Sequence, residues 1–325
     1  MLVQAAYAKR IEGVWHKRVG GYDVRDIEIV AAFDIDKRKN GVDLSQAIFQ
    51  KPNVTPKLED IAQSGIIVKA GIMKDEVPRH LEGSVESVNS IAKELKESGS
   101  SVALNLIPSG MPKTSLAYAN ECLKTGVSLI NATPAKLATN TSLGKRFRSA
   151  KLVIAGDDLM SQFGGTAFHK GILDFINSRG IRVDKSYQLD VGGGNETLNT
   201  ISEEIKLAKR DIKTESIAAE IPYKFATVAG TTDYVDYMGN NRTSYFWISG
   251  RGFFDSEVKI DVYLRTNDGA NSANVLFDVV RAVSQSLRKK EYGAVPEICD
   301  FGFKRLPKPV LLHDAHKEFM KKFVK

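Results

Sequence analysis

The sequence predicts an α/β fold: a doubly wound parallel sheet carrying an inserted α+β unit. Three observations lead there. The first half alternates short apolar runs with helical periodicities, as parallel strands joined by crossover helices do. The second half switches to period-two alternation over long segments, the pattern of an antiparallel sheet with one covered face. The chain also has 325 residues, more than one ordinary core fills, so two domains are expected.

In order, DIEIVAAFDID (26–36) reads as a near-continuous apolar strand ending in acids, and GIIVKAGI (65–72) as a second strand. SVESVNSIAKELKESG (84–99) has helical spacing and a glycine stop. SVALNLIP (101–108) is a buried-type strand, and SLAYANECLKTG (115–126) a helix with Gly126 as its C-cap. VSLINATP (127–134) and KLVIAGDD (151–158) are strands. A strand over Ser186–Val191 runs into Gly192–Gly194 and then into a basic helix. TSYFWISGRGF (243–253) and SEVKIDVYLRTND (256–268) alternate as an antiparallel pair, and NSANVLFDVVRAVSQSLRKK (271–290) is an amphipathic helix. No internal repeat or low-complexity segment is present.

Ligands of doubly wound sheets sit at the carboxyl ends of the strands. Those ends carry Asp34, Asp36, Pro108–Ser109–Gly110, Asn131–Ala132–Thr133 and Asp157–Asp158. An acid ending the second strand is where a dinucleotide fold binds an adenosine ribose. FDID also reads as a strand ending in helix-capping acids.

In the basic helix, Lys206, Lys209, Arg210 and Lys213 stand at i, i+3, i+4 and i+7, on one face. Like charges so spaced repel by a few tenths of a kcal/mol per pair, roughly. On spacing alone the simpler reading is a solvated face partnered by Glu203, Glu204 and Asp211. Folded inward, the stripe needs an anion.

Composition excludes several classes. Hydrophobic residues make up 42% and charged residues 26%, as in a soluble globular chain. No apolar run approaches the ~20 residues that cross a bilayer, and the N-terminus lacks a signal-peptide pattern. Cys122 and Cys299 lie far apart, and no metal-type spacing occurs. A cytoplasmic protein without membrane contact or metal ligands is expected. Net charge is +7, but basic residues are scattered among acids and no nucleic-acid motif appears. A phosphorylated small substrate also favours a positive interior.

The run VIAGDDLMSQFGGTAFHKGILDFINSRGIRVDKSYQLDVGGGNETLN, followed by AKRDIKT, resembles the myo-inositol-1-phosphate synthase (inositol-3-phosphate synthase) family, archaeal and bacterial branch. The resemblance continues through 24–49, INATPAKLA (130–138), 250–282 and FKRLPKP (303–309), covering nearly the whole chain in order. It implies a Rossmann-like NAD-binding domain over 1–185 and 271–325, and a catalytic and oligomerisation domain over 186–270. It implies conversion of D-glucose 6-phosphate to 1D-myo-inositol 3-phosphate by oxidation, enolisation, intramolecular aldol closure and reduction, by a cytoplasmic homotetramer. Some archaeal members also use a divalent cation.

Carried over residue by residue, the resemblance places Lys209 and Lys304 at O5 of the sugar, and Lys213 at the phosphate and the C1 oxygen. The family's fourth lysine is Arg242 here, which holds phosphate but gives up no proton near neutral pH. Asp157 and Asp158 match an Asp-Asp pair near the nicotinamide. Asp34, Pro108, Ser109, Asn131, Ala132, Thr133, Asp157 and Asp158 are the expected cofactor contacts. Several positions depart from the family: Met160 stands where it has lysine, Asp190 where it has asparagine, and Gly269–Ala270 where it has Ser-Pro. Together these mark a divergent member; Arg242, Met160 and the lack of the family's N-terminal Gly-rich loop favour a second reading, a paralogue that binds a sugar phosphate with altered or no catalysis. The family opens with a strand and a Gly-x-Gly-Asn turn that cradles the NAD pyrophosphate, whereas this sequence starts within the next helix, at MLVQAAYA. The expectation is a start codon placed late, and weak NAD binding by a chain that begins at Met1.

The remaining polar residues have plainer readings. His169 is a helix-face histidine in packing, since no second histidine stands at metal spacing. His313 and His316 read as surface, Trp15 and Trp247 as packing, and the two cysteines as core. Gly192–Gly194 reads either as a phosphate loop or as a turn.

Overall fold

The computed structural model describes residues 1–324. The chain runs α1 (Leu2–Tyr7), β1 (Arg18–Val19), β2 (Tyr22–Asp23), β3 (Phe33–Asp34), α2 (Leu44–Ala47), β4 (Lys69–Ile72), β5 (Ser87–Val88) and α3 (Ala92–Glu97). It continues through β6 (Val102–Asn105), α4 (Pro112–Thr125), β7 (Ser128–Asn131), α5 (Thr141–Ser149), β8 (Val153–Ala155) and α6 (Gly165–Ser178). Next come β9 (Arg182–Gly192), α7 (Asn195–Asn199), α8 (Glu203–Ala218), β10 (Ala226–Tyr234), β11 (Asn241–Arg251) and β12 (Glu257–Asn267). The last elements are α9 (Asp268–Arg288), β13 (Gly293–Ala294), α10 (Pro296–Gly302) and α11 (Leu312–Phe323).

The α/β class holds. The parallel strands form two sheets, β13-β8-β7-β6 and β3-β4-β5, rather than one. In the larger sheet the period of two decides which core each side chain joins. Ile130, Val153 and Ala155 face α9, where Val275, Val279, Ala282 and Val283 bury their side chains. Leu129 and Ile154 face the opposite way, against Cys122, Leu143 and Phe147 of α4 and α5. β7 is buried along its whole length, as a central strand covered on both faces must be. Each fully buried Val, Leu, Ile or Phe side chain here contributes about 1.5–3 kcal/mol relative to exposure.

The N-terminal segment is stapled to α9 by Arg281. Its guanidinium donates to the carbonyls of His16 and Lys17, both at 2.9 Å, and pairs with Asp278 at 2.6 Å. His16 Nδ1 lies 2.6 Å from the other oxygen of Asp278.

The second unit is a four-stranded sheet in the order β10-β9-β11-β12. β9, β11 and β12 are antiparallel neighbours, as the alternation requires, but β10 joins β9 in parallel. α6 and α8 cover one face, packing Leu173, Ile176 and Ile217 against Val183, Ala229 and Ile248 of the sheet. The other face carries Tyr187, Tyr245, Trp247 and Tyr263, with neighbouring ring centroids 4.8–5.8 Å apart. Tyr263 is 72% exposed there.

Three sequence expectations change. The strand over 26–36 shrinks to Phe33–Asp34, which pair with β4, while Asp36 makes only an isolated bridge to Val85. The helix over 84–99 begins only at Ala92: Ser87–Val88 pair with Gly71–Ile72, and the Glu121 carboxylate holds Ser90 and the Ile91 amide outside the helix. His316 is not a surface residue, because it stacks on Trp15 at 5.5 Å.

Candidate functional site

Four basic side chains from three parts of the fold converge beyond the carboxyl end of β8. Lys209 and Lys213 come from α8, Arg242 from β11, and Lys304 from the segment after α10. Lys213, Arg242 and Lys304 line one pocket with Met160, Gln188, Asp190 and Asp268. Lys304 is fixed by backbone pairing, its amide donating to the Asp158 carbonyl at 2.8 Å beside the bridge between Leu159 and Phe303.

Each cation already has a carboxylate. Lys213 Nζ lies 2.5 Å from Asp190 Oδ2, Arg242 Nε 2.8 Å from Asp268 Oδ2, and Lys304 Nζ 2.9 Å from Asp158 Oδ1. Lys209 pairs with Glu196 of α7. The reading of the basic stripe as a solvated face therefore fails for Lys209 and Lys213. Their partners are Glu196 and Asp190, not Glu203, Glu204 or Asp211. Arg210 is exposed, its stem lying against Gly230 of β10.

The pairs differ in their electrostatics. Burial pulls the Lys209 ammonium toward losing its proton, but Glu196 and Asp158 outweigh it and hold its pKa above the ordinary lysine value. For Lys213 burial wins, aided by Arg242 and Lys304, and its pKa falls below that value despite Asp190. Burial opposes the charge of Asp190 too, yet Lys213, Arg242 and the Ser244 hydroxyl hold its carboxyl well below the usual range.

The two acids of the Asp-Asp pair have separate surroundings. The Asp157 carboxylate is closed in, accepting from Asn131 Nδ2, the amides of Leu137, Ala138 and Thr139, and the Thr139 hydroxyl. It ties the loop after β7 to the end of β8, and burial pushes its pKa up. Asp158 carries the Lys304 pair, and its Oδ2 is buried with no hydrogen-bond partner.

The expected cofactor contacts lie at strand ends as the sequence suggests. Asn131 accepts from Asn105 and Thr133 and donates to Asp157, while Ala132 pairs through its backbone with Asn105 and Leu159. Pro108 and Ser109 follow β6, and Ser109 donates through its amide and hydroxyl to Glu196 at 3.1 and 2.5 Å. Asp34 ends β3 in the smaller parallel sheet, paired with Lys39 at 2.7 Å.

Sequence reasoning missed Glu196, Gln188, Ser244 and the N-terminus of α6. Gly164, Gly165 and Thr166 bring that helix end to the pocket, where its free amides and dipole favour an anion. A Cβ at Gly165 would stand 2.2 Å from Gln188 Nε2, so any larger residue there would have to displace that side chain. The signal was the FGGT turn just after the acid pair. Gly193 has a packing reason instead, since a Cβ would stand 2.5 Å from the Val235 carbonyl oxygen. His169 packs edge-on against Phe246 and contacts Gln188 and Ser186, with burial lowering its pKa to about 4. Both cysteines are buried. Among the described residues, Asp174, Glu220 and His313 come within reach of a shared metal position, but Glu220 there is paired with Lys170. No helix among them is long and apolar enough to cross a membrane.

Comparisons with known proteins agree on one family. The sequence model described as myo-inositol-1-phosphate synthase matches residues 164–269. An inositol-3-phosphate synthase of Mycobacterium tuberculosis (strain H37Rv) is 33% identical over 279 residues, covering 84% of this chain and 76% of the relative. One from Mycolicibacterium smegmatis is 30% identical over 97% of this chain and 89% of its own length. Among solved structures, Ari2 superposes with a TM-score of 0.76 at 27% identity, covering 97% of this chain and 89% of that one. A myo-inositol-1-phosphate synthase-related protein from Thermotoga maritima shares the fold, with a TM-score of 0.75 at 21% identity over 91% of this chain and 86% of its own.

Proposed function

The chain belongs to the inositol-3-phosphate synthase family, a family of enzymes, and from that premise we propose that it converts D-glucose 6-phosphate to 1D-myo-inositol 3-phosphate with NAD. The observation that carries this reading is the convergence of Lys213, Arg242 and Lys304 on one pocket that also receives the N-terminus of α6, with Lys209 close enough to feel Asp158 and Arg242. The reaction makes negative charge at O5 and then at O1 beside a phosphate, and positioned cations stabilise such oxyanions.

The residues suit NAD at the carboxyl ends of the parallel strands. Asp158 Oδ2 and Asn105 Oδ1 are buried acceptors without partners, ready for hydroxyl or amide donors. Asp34 would hold the adenosine ribose; Ser109, Asn131, Ala132, Thr133 and Asp158 would border the nicotinamide end. Bound NAD supplies a reversible hydride acceptor.

The chain's own residues do the rest. Phosphate sits at the N-terminus of α6, held by Lys213 and by the fork of Arg242. Lys209 and Lys304 stabilise O5 as its proton leaves and returns. Lys213, whose pKa burial has lowered, is the lysine suited to give a proton to O1 as the ring closes. Asp157 acts through the loop it braces.

The test is incubation with glucose 6-phosphate and NAD, followed by phosphorus NMR and chromatography of the product. Inositol phosphate supports the reading. Sugar-phosphate binding without conversion would overturn it and favour the altered-specificity paralogue, to which Arg242 and Met160 point.

A further inference from the structure

Asp190 takes no part in the chemistry just described, yet it is the most tightly held side chain of the pocket. It is 1% exposed. Its Oδ1 accepts from the Ser244 hydroxyl at 2.6 Å and from Gln188 Nε2 at 2.8 Å, and its Oδ2 accepts from Lys213 at 2.5 Å and from Gln188 at 3.0 Å. Gln188 is braced in turn by His169, His169 by Ser186, and Ser186 by Thr227 at 2.8 Å. The Ser244 hydroxyl, the Gln188 amide and the Lys213 ammonium enclose the carboxylate, so its influence on a ligand runs through Lys213.

The charges around Lys213 make that influence specific. Arg242 faces it from β11, Lys304 from the segment after α10, and Lys209 stands one turn back on α8. Asp268 and Asp158 are near, but each is engaged by its own cation, at 2.8 and 2.9 Å. Asp190 is the carboxylate in direct contact with the ammonium.

We propose that Asp190 is a positioning residue, a fixed counter-ion that aims Lys213 into the pocket and keeps it an ammonium, so that the site still binds an anionic phosphate at alkaline pH. This rests on the reading that Lys213 contacts phosphate. A neutral isostere at 190 leaves Lys213 among cations with nothing opposite, and its proton is then lost more easily. Asparagine with its oxygen toward Lys213 keeps that contact and one contact from Gln188 Nε2, and its NH2 can donate to the Ser244 hydroxyl, which both donates and accepts.

The experiment compares the wild type with Asp190→Asn and Ser244→Ala. Competitive acetylation read by mass spectrometry gives the titration midpoint of Lys213, with Lys206 as the more accessible control. Inorganic phosphate affinity is measured at pH 7 and pH 9. In Asp190→Asn the Lys213 midpoint should fall by about a pH unit or more, while Ser244→Ala, which keeps the carboxylate, should leave it near the wild type. From pH 7 to pH 9, Asp190→Asn should lose more phosphate affinity than the wild type does, by a factor that follows the shift of its Lys213 midpoint and is at most about tenfold per pH unit. An unmoved midpoint in Asp190→Asn overturns the counter-ion role, as does an equal fall in Ser244→Ala. A midpoint that falls while phosphate binding tracks the wild type overturns the phosphate contact, and with it the family reading of Lys213.

Discussion

Two ion pairs one turn apart on α8 should differ several-fold in what their loss costs. Lys213 and Asp190 are 5% and 1% exposed, whereas Lys209 is 14% and Glu196 43% exposed. Lys213→Met strands Asp190 inside the protein with Ser244 and Gln188 as its remaining donors. Removing one partner of a fully buried pair costs about 3–5 kcal/mol. Lys209→Met leaves Glu196 free to turn toward water, and solvent screening cuts its penalty to about 1 kcal/mol. Acid should close the larger gap. The folded pKa of Asp190 lies below its unfolded value, so its contribution is present above the ordinary aspartate pKa of about 3.9 and is lost as pH falls through the folded value. Lys213→Met deletes that contribution, so its deficit should be full at pH 7 and narrow below about pH 4. Urea unfolding at both pH values measures this. Trp15 reports the main core and Trp247 the mixed sheet, and coincident transitions from the two validate a single free energy. Equal costs for the two substitutions, or a deficit unchanged between the two pH values, would refute the argument that burial decides.

Three further outcomes are expected. Lys209→Ala or Lys304→Ala should lower turnover about 100-fold or more, the scale of a lost oxyanion donor, whereas Lys213→Ala should also raise KM, because phosphate is held in ground and transition states alike; steady-state formation of inositol phosphate separates the two. Arg242→Lys should keep or improve turnover in the same assay, since lysine adds a proton that arginine does not release. Light scattering at micromolar protein should give a homotetramer, with the uncovered aromatic face of the mixed sheet at a subunit contact; a monomer would contradict this.

The class of fold was legible because each half keeps one periodicity. Strands β6 to β8 and β11 to β12 appear close to where the apolar patterns put them. Short strands were misjudged where pairing rather than composition sets their length: 26–36 is near-continuously apolar, but only Phe33–Asp34 form a strand with β4, and Asp36 makes an isolated bridge to Val85. At the site, helical spacing grouped Lys209 with Lys213 but gave no direction, because an inward and an outward basic stripe look alike in one dimension. Glu196 and Asp190 decide that direction, and they come from α7 and β9, which precede the helix. Gln188 and Ser244 were invisible for the same reason: each looks like an ordinary strand residue until β9 and β11 lie side by side. His316 read as surface from its polar neighbours, since its contact with Trp15 spans nearly the whole chain.

The pairing of the cations in and beside the pocket shapes how a ligand arrives. Four positive groups stand beside four carboxylates. Seen from a distance they form close dipoles rather than a monopole, and the field of such a set dies away faster than that of a lone charge. Unpaired, four cations would reach outward to about the 8 Å screening length of physiological salt and draw any anion inward. Paired, they are nearly silent in the surrounding solvent, whatever the +7 net charge of the whole chain suggests. Capture is therefore decided at contact, by whether an arriving group can share a cation with its resident carboxylate. Encounter rates should respond weakly to ionic strength, and abundant anions such as chloride gain little by visiting.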